Sequence, residues 1–152
     1  MINVEQAELL IKENINLSAT EEISLSNAYN SILKEDIKAD RNNPPFNRAT
    51  MDGIAINFKS WLEGNRIFKI QTIQKAGEPQ KKLIDNRNCL EIMTGAVVPE
   101  NCDCVIKVED IQIVDGYAQL DNTEISKMQN IHLEGSDYKK DQILIKENTK
   151  LN

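Results

Sequence analysis

The 152-residue chain carries a net charge of −6 and only 5% aromatic residues, which argues against the clustered Lys and Arg of a nucleic-acid surface. Its length suits one domain or two small ones, with a core able to bury about two thirds of the unfolded surface. No apolar run approaches the ~20 residues of a membrane span, and no charged-then-apolar leader opens the chain, so no membrane association and a cytoplasmic location are expected. Three cysteines, Cys89, Cys102 and Cys104, leave one unpaired in any disulfide scheme. Cys102-x-Cys104 falls short of the four ligands of a structural zinc, so Cys104 reads as a small core residue. His132 is the only histidine, which excludes a His-rich metal site. It also excludes a conventional Ser-His-Asp triad unless His132 itself serves, and no Gly-x-Ser-x-Gly elbow accompanies it.

Val4, Ala7, Leu10, Ile11 and Ile15 recur at helical spacing opposite Glu5, Glu8, Lys12 and Glu13, predicting an amphipathic first helix. Ser18 and Glu21 have capping-box spacing, but Ser24 before Leu25, Tyr29, Ile32 and Leu33 is the better start for a second, shorter helix. Residues 34–40 drift into an extended link. A short helical turn holds Trp61, and β-like runs follow at 67–73, 88–92, 104–108 and 111–114, the last returning through Asp115-Gly116 to 117–120 as a hairpin. Residues 130–133 and 142–145 resume strand character and can pair with the link at 36–39. The expected division is a helix at 1–15, a small α/β unit from 16–42 plus 128–152, and an inserted β-rich domain at 43–127.

One stretch concentrates restricted backbone around an acid: Asn43-Pro44-Pro45-Phe46-Asn47-Arg48-Ala49-Thr50-Met51-Asp52-Gly53. The prolines bar a helix here. Asp52-Gly53 then reads as a tight turn into the strand Ile54-Ala55-Ile56, and taken alone it is a structural turn. Thr94-Gly95 stands just past the run 89–93, where a hydroxyl and the following amides would project and a glycine admits a ligand closely. Taken alone it too is a turn.

Pro45 to Ala55, followed by Glu91-Ile92-Met93-Thr94-Gly95-Ala96-Val97-Val98-Pro99-Glu100, resembles the signature pair of the molybdopterin molybdenumtransferases, the MoeA and gephyrin E-domain family. Ala76-Gly77, the run from Asp103 to Glu109, and Gly135-Ser136-Asp137 are similar to further family segments in the same order. The resemblance covers essentially the whole chain but only the family's N-terminal part. It implies an α+β, mostly β fold of short twisted and bifurcated sheets with one or two N-terminal helices. It implies Asp52, Thr94 and Asp137 as catalytic residues facing one site, with Gly53, Gly95 and Glu109 contacting the cofactor; the plain alternative for Glu109 is a solvated strand residue. Carboxylates such as Asp52 and Asp137 can hold Mg²⁺ beside a phosphate, or orient water and an oxyanion.

The implied reaction inserts molybdate into adenylylated molybdopterin and releases AMP. A homodimer and an upstream molybdopterin adenylyltransferase are its implied partners. The family continues into a larger Gly-rich pterin-binding domain on which the first helix packs, so the 152-residue chain alone is expected not to turn over. The chain also departs from the pattern. Asn47 and Ala49 replace an Asp-x-Ser, Glu91 replaces an Arg, and His132, Leu133 and Glu134 replace basic residues, removing charge-assisted contacts to anions. The competing reading is a diverged, non-catalytic binding or scaffold module of the same fold; an unrelated β domain that binds sugars or peptides is a third.

Overall fold

The computed structural model describes residues 2–16, 19–120 and 124–152. In chain order the elements are α1 (Val4–Asn14), β1 (Ile37–Lys38), β2 (Arg48–Ala49), β3 (Gly53–Ile56), α2 (Phe58–Leu62), β4 (Ile67–Gln74), β5 (Asn88–Ile92), β6 (Cys104–Lys107), β7 (Ile111–Val114), β8 (Tyr117–Leu120), β9 (Ile131–His132) and β10 (Ile143–Ile145). Three-residue 3₁₀ turns occur at Leu25–Asn27 and Val108–Asp110. This is the mostly β, α+β architecture expected. Two compact units form, Met1–Ile37 with Ile143–Asn152, and Lys38–Gln142.

In the first unit, α1 begins where Asn3 and Gln6 cap each other: the Gln6 amide donates to Asn3 Oδ1 at 2.8 Å and the Asn3 amide to Gln6 Oε1 at 3.1 Å. None of its residues is buried. The second helix expected from Ser24 is replaced by the 3₁₀ turn at Leu25–Asn27. Ser24 makes no side-chain cap; its hydroxyl lies 2.9 Å from that of Ser26. Asn30, at φ 65°, turns the backbone out of helical geometry. The chain beyond it pairs with the last residues instead, through Asn30 N–H to Leu151 O at 2.8 Å and Leu33 N–H to Thr149 O at 2.9 Å. Non-local pairing thus takes the backbone groups that a local helix needs. The capping pair of Ser18 and Glu21 lies outside the described residues, since Ser18 is not among them. β1 pairs with β10, as the sequence predicts.

The second unit holds a six-stranded sheet in the order β6-β3-β5-β4-β8-β7. Its pairs are antiparallel except β4–β5, which is parallel. Strand alternation sends Ile54, Ile56, Cys104 and Ile106 into a core with Phe68, Cys89 and Ala118, closed by Phe58 and Trp61 of α2. The intervening Ala55, Ile92 and Val105 face the other way, against Ala49 and Ala96, with Ile131 packed alongside. This second layer is the one that carries the candidate site. The β7–β8 hairpin turns through Asp115 (φ 50°) and Gly116 (φ 78°), two successive positive φ angles that match the strand twist.

A parallel pair needs a long connection, and here residues 75–87 supply it without a helix. The fully buried Gln74 side chain organises its start: Nε2 donates to Pro79 O at 3.2 Å, and Oε1 accepts from the Lys81 amide at 2.8 Å. Lys81 Nζ bonds Ile73 O and, at 2.7 Å, Glu78 Oε2.

Residues 38–42 and 128–142, which the sequence reading groups with the smaller unit, pack in the second unit. Backbone bonds tie them there. Asp141 N–H reaches Ala39 O and Gly135 N–H reaches Pro44 O, both at 2.9 Å, and β9 pairs with β2.

Candidate functional site

Asp52 is fixed first through its backbone. The next residue, Gly53, lies between β5 and β6, opposite Ile92 and Lys107. Its φ is 155°, and an added Cβ would stand 1.9 Å from Ile106 O. Only glycine lets β3 and β6 approach this closely, so Asp52-Gly53 is a strand entrance and not a hairpin turn. The Asp52 carbonyl accepts the Val108 amide at 2.9 Å.

The side chain is fixed next. Asp52 Oδ1 accepts the Thr94 amide at 2.6 Å and the Thr94 hydroxyl at 2.8 Å. Both bonds hold the carboxyl below its usual range, the amide bond contributing most and the hydroxyl bond next, against a small opposing effect of desolvation. Asp52 is therefore ionised at neutral pH, and among the described residues its Oδ2 has no hydrogen-bond partner.

The amides expected to project at Thr94-Gly95 do not do so. Thr94 N–H is spent on Asp52, Gly95 N–H on Ala49 O at 2.9 Å, and Ala96 N–H on Met93 O at 3.0 Å. Gly95, at φ 82°, meets open space where a Cβ would stand. Its role here is to turn the chain so that the loop anchors to β2.

Asp137 is held by a separate set of partners. His132 Nε2 lies 2.8 Å from its Oδ1, and Asn43 Nδ2 donates to its Oδ2 at 3.1 Å. Behind the imidazole, Arg48 Nη2 lies 3.1 Å from His132 Nδ1. Thus Asp52 and Thr94 are joined directly, while Asp137 bonds neither. The short strand β2 touches both groups through consecutive residues: Ala49 exchanges backbone bonds with Gly95 and Ala96, and Arg48 pairs with His132. Arg48, His132 and Asn43 escape a local reading of the sequence because these contacts span 84 to 94 residues, or, for His132 and Asp137, link a turn whose acid alone stands out.

Glu109 does not end a strand. β6 stops at Lys107, and Glu109 sits exposed in the 3₁₀ turn, next to the Val108 that anchors Asp52. The thiols are removed from this chemistry: burial pushes Cys89 and Cys104 up to about 12 and raises Cys102 as well.

As a magnesium site the residues fit only in part. No group of three His, Cys, Asp or Glu side chains gathers among the described residues, and both oxygens of Asp137 already have donors. Asp52 Oδ2 fits as a single carboxylate ligand, which suffices where substrate phosphates and water complete the shell. A cavity of about 750 Å³ beside Glu63, Asp85 and Arg87 contains none of these residues. A second, of about 320 Å³, runs beside Phe46, Asn47, Val97 and Glu134 but is likewise not lined by Asp52, Thr94 or Asp137.

Comparison with known proteins agrees across sequence and structure. The family described as MoeA N-terminal region (domain I and II) matches residues 2–152. A molybdopterin molybdenumtransferase from Synechocystis sp. is 36% identical over 131 residues, covering 86% of this chain and 34% of that protein. One from Haemophilus influenzae is 30% identical over 154 residues, covering 99% of this chain and 37% of that protein. A solved molybdopterin biosynthesis MoeA protein from Pyrococcus horikosii superposes with a TM-score of 0.85 at 26% identity, covering 99% of this chain and 39% of that one. The chain therefore spans between a third and two fifths of the length of these relatives. With its fold and its Asp-Gly and Thr-Gly segments described, the chain belongs to the family of the MoeA N-terminal region, domains I and II.

Proposed function

We propose that this chain is the N-terminal region of a molybdopterin molybdenumtransferase acting in molybdenum cofactor biosynthesis. In this reading the parent protein inserts molybdate into adenylylated molybdopterin with release of AMP, and this region supplies one wall of the site. The observation that carries the reading is the Asp52–Thr94 pair: an exposed carboxylate, ionised at neutral pH, with one oxygen immobilised by two donors and the other open. A group held in this way orients a ligand without reorganising during the reaction.

With the amides of residues 94–96 bonded internally, Asp52 Oδ2 is suited to a cation or a water proton, and poorly suited to direct contact with an oxyanion. Mg²⁺ bound there would neutralise developing phosphate charge. The same reading assigns Asp137 to this site, and Gly53, Gly95 and Glu109 to contact with the cofactor. The homodimer, the cytoplasmic location and supply of the adenylylated substrate by an adenylyltransferase belong to the same proposal. Among the described residues no helix is long and apolar enough to cross a membrane.

The test is molybdenum-cofactor reconstitution with the full-length gene product. Asp52→Asn and Thr94→Ala should each lower turnover by about a hundred-fold, the scale of losing one preorganised electrostatic contact, with circular dichroism unchanged. An Asp52→Asn protein with full activity would overturn the role given to Asp52, whereas an unsubstituted full-length protein without turnover would leave a non-catalytic module of this fold, which the internally bonded loop amides favour as the second reading.

A further inference from the structure

The contact between Arg48 and His132 fixes more than a distance. A guanidinium has donors only, so at 3.1 Å from Arg48 Nη2 the His132 Nδ1 must present its lone pair. The proton of the neutral imidazole then sits on Nε2, which donates to Asp137 Oδ1 at 2.8 Å. With Asn43 Nδ2 on Oδ2, donors grip the Asp137 carboxylate on both oxygens. The backbone holds the same geometry: Arg48 and His132 are directly opposed in the β2–β9 pair, and the Asp137 amide donates to Asn43 O at 2.9 Å. The imidazole is half-buried, which protects both of its bonds from exchange with water.

We propose that Arg48 and His132 are positioning residues for Asp137, with Arg48 setting the imidazole tautomer and His132 passing that choice on as the orientation of the carboxylate. The opposite tautomer would place two donors face to face at Nδ1 and two acceptors face to face at Nε2. Either arrangement would release Asp137 to rotate. This inference rests on the reading above that Asp137 belongs to the site, and it assigns the cationic Arg48 a role in which the charge does not meet the ligand.

Long-range ¹⁵N–¹H correlation NMR of the 152-residue chain at neutral pH reads the tautomer directly, because His132 is its only histidine. The expected spectrum has an unprotonated Nδ1 and a protonated Nε2; Arg48→Lys should preserve it and Arg48→Met should mix the two forms. A protonated Nδ1 in the unsubstituted chain, or an Arg48→Met spectrum unchanged from it, overturns the inference whatever the activity. In reconstitution with the full-length protein, Arg48→Met should lower kcat by about ten-fold with KM held, and Arg48→Lys should recover most of the loss. Arg48→Met with undiminished kcat, alongside an impaired Asp137→Asn, overturns the positioning role alone. Full activity of Asp137→Asn instead removes Asp137 from the site and with it the reading on which this inference stands.

Discussion

Replacing Gly53 by alanine probes the close approach of β3 to β6. The added Cβ would sit 1.9 Å from Ile106 O, whereas an ordinary carbon–oxygen contact is about 3.3 Å, so β3 and β6 would have to separate by roughly 1.4 Å. A shift of that size breaks the ladder bonds flanking Gly53, each worth about 0.5–1.5 kcal/mol net. Alanine at φ 155° adds a backbone cost of about 1–3 kcal/mol. With one such bond on each side the sum is about 2–6 kcal/mol, or on the order of 10 °C in Tm for a chain of this size. Gly95→Ala is the matched control. Its φ of 82° carries the backbone cost, but no atom lies within 4 Å of the added Cβ, so a loss of about 1–2 kcal/mol is expected. Urea denaturation of both variants measures the difference. A Gly53→Ala protein within about 1 kcal/mol of the parent, or a Gly95→Ala protein as damaged as Gly53→Ala, would refute steric contact with Ile106 as the reason for glycine.

Further outcomes follow from burial and titration. Gln74→Leu leaves the Lys81 amide and the Pro79 carbonyl without partners, and should cost about 1–3 kcal/mol, with hydrogen exchange rising first at residues 75–81. Cys89 titrates near 12 in the folded chain, chiefly through burial, and near 8.5 when unfolded. The unfolded state therefore releases its proton first as pH rises. Stability should fall between about pH 9 and 12, by up to about 1.4 kcal/mol per pH unit from this thiol, and Cys89→Ala should flatten the slope in denaturation curves. Asp52 shows the opposite sign. Its folded pKa is depressed by the Thr94 bonds, so its contribution is present above the unfolded carboxyl pKa and is lost as pH falls through the folded one. Thr94→Val should raise the Asp52 titration midpoint seen by carboxyl NMR, while the surviving amide bond keeps it below that of an unfolded Asp; an unmoved midpoint would contradict the hydroxyl bond.

Much of the sheet is legible in the sequence because its signals are local. The runs at 67–73, 88–92 and 104–108 and the Asp115-Gly116 hairpin appear almost residue for residue as β4, β5, β6 and the β7–β8 pair. The failure at Ser24 is equally physical: apolar spacing there favours a helix, yet Asn30 breaks the backbone and the partners at Thr149 and Leu151 lie at the other end of the chain. Asp52 and Thr94 stand out through their glycines, and the structure bonds them to each other. Arg48 and His132 carry no such marker. A side chain paired across two-residue strands has no periodicity to betray it, and His132 read alone is a single histidine between Ile131 and Leu133.

The helix-free link between β4 and β5 bears on how this unit can be altered. Its first turn is clamped at Gln74 and at Lys81, while Gly77 between them, at φ 80°, faces open space. The Met93 amide donates to Gln74 O at 3.2 Å, so the residue before Thr94 is tied to the clamp and not to the tip. Lengthening the chain at Gly77-Glu78 therefore extends a loop whose two ends stay stationary. That tip is a place where a peptide tag or fluorophore can be grafted to report on the protein from outside without displacing the carboxylate at Asp52.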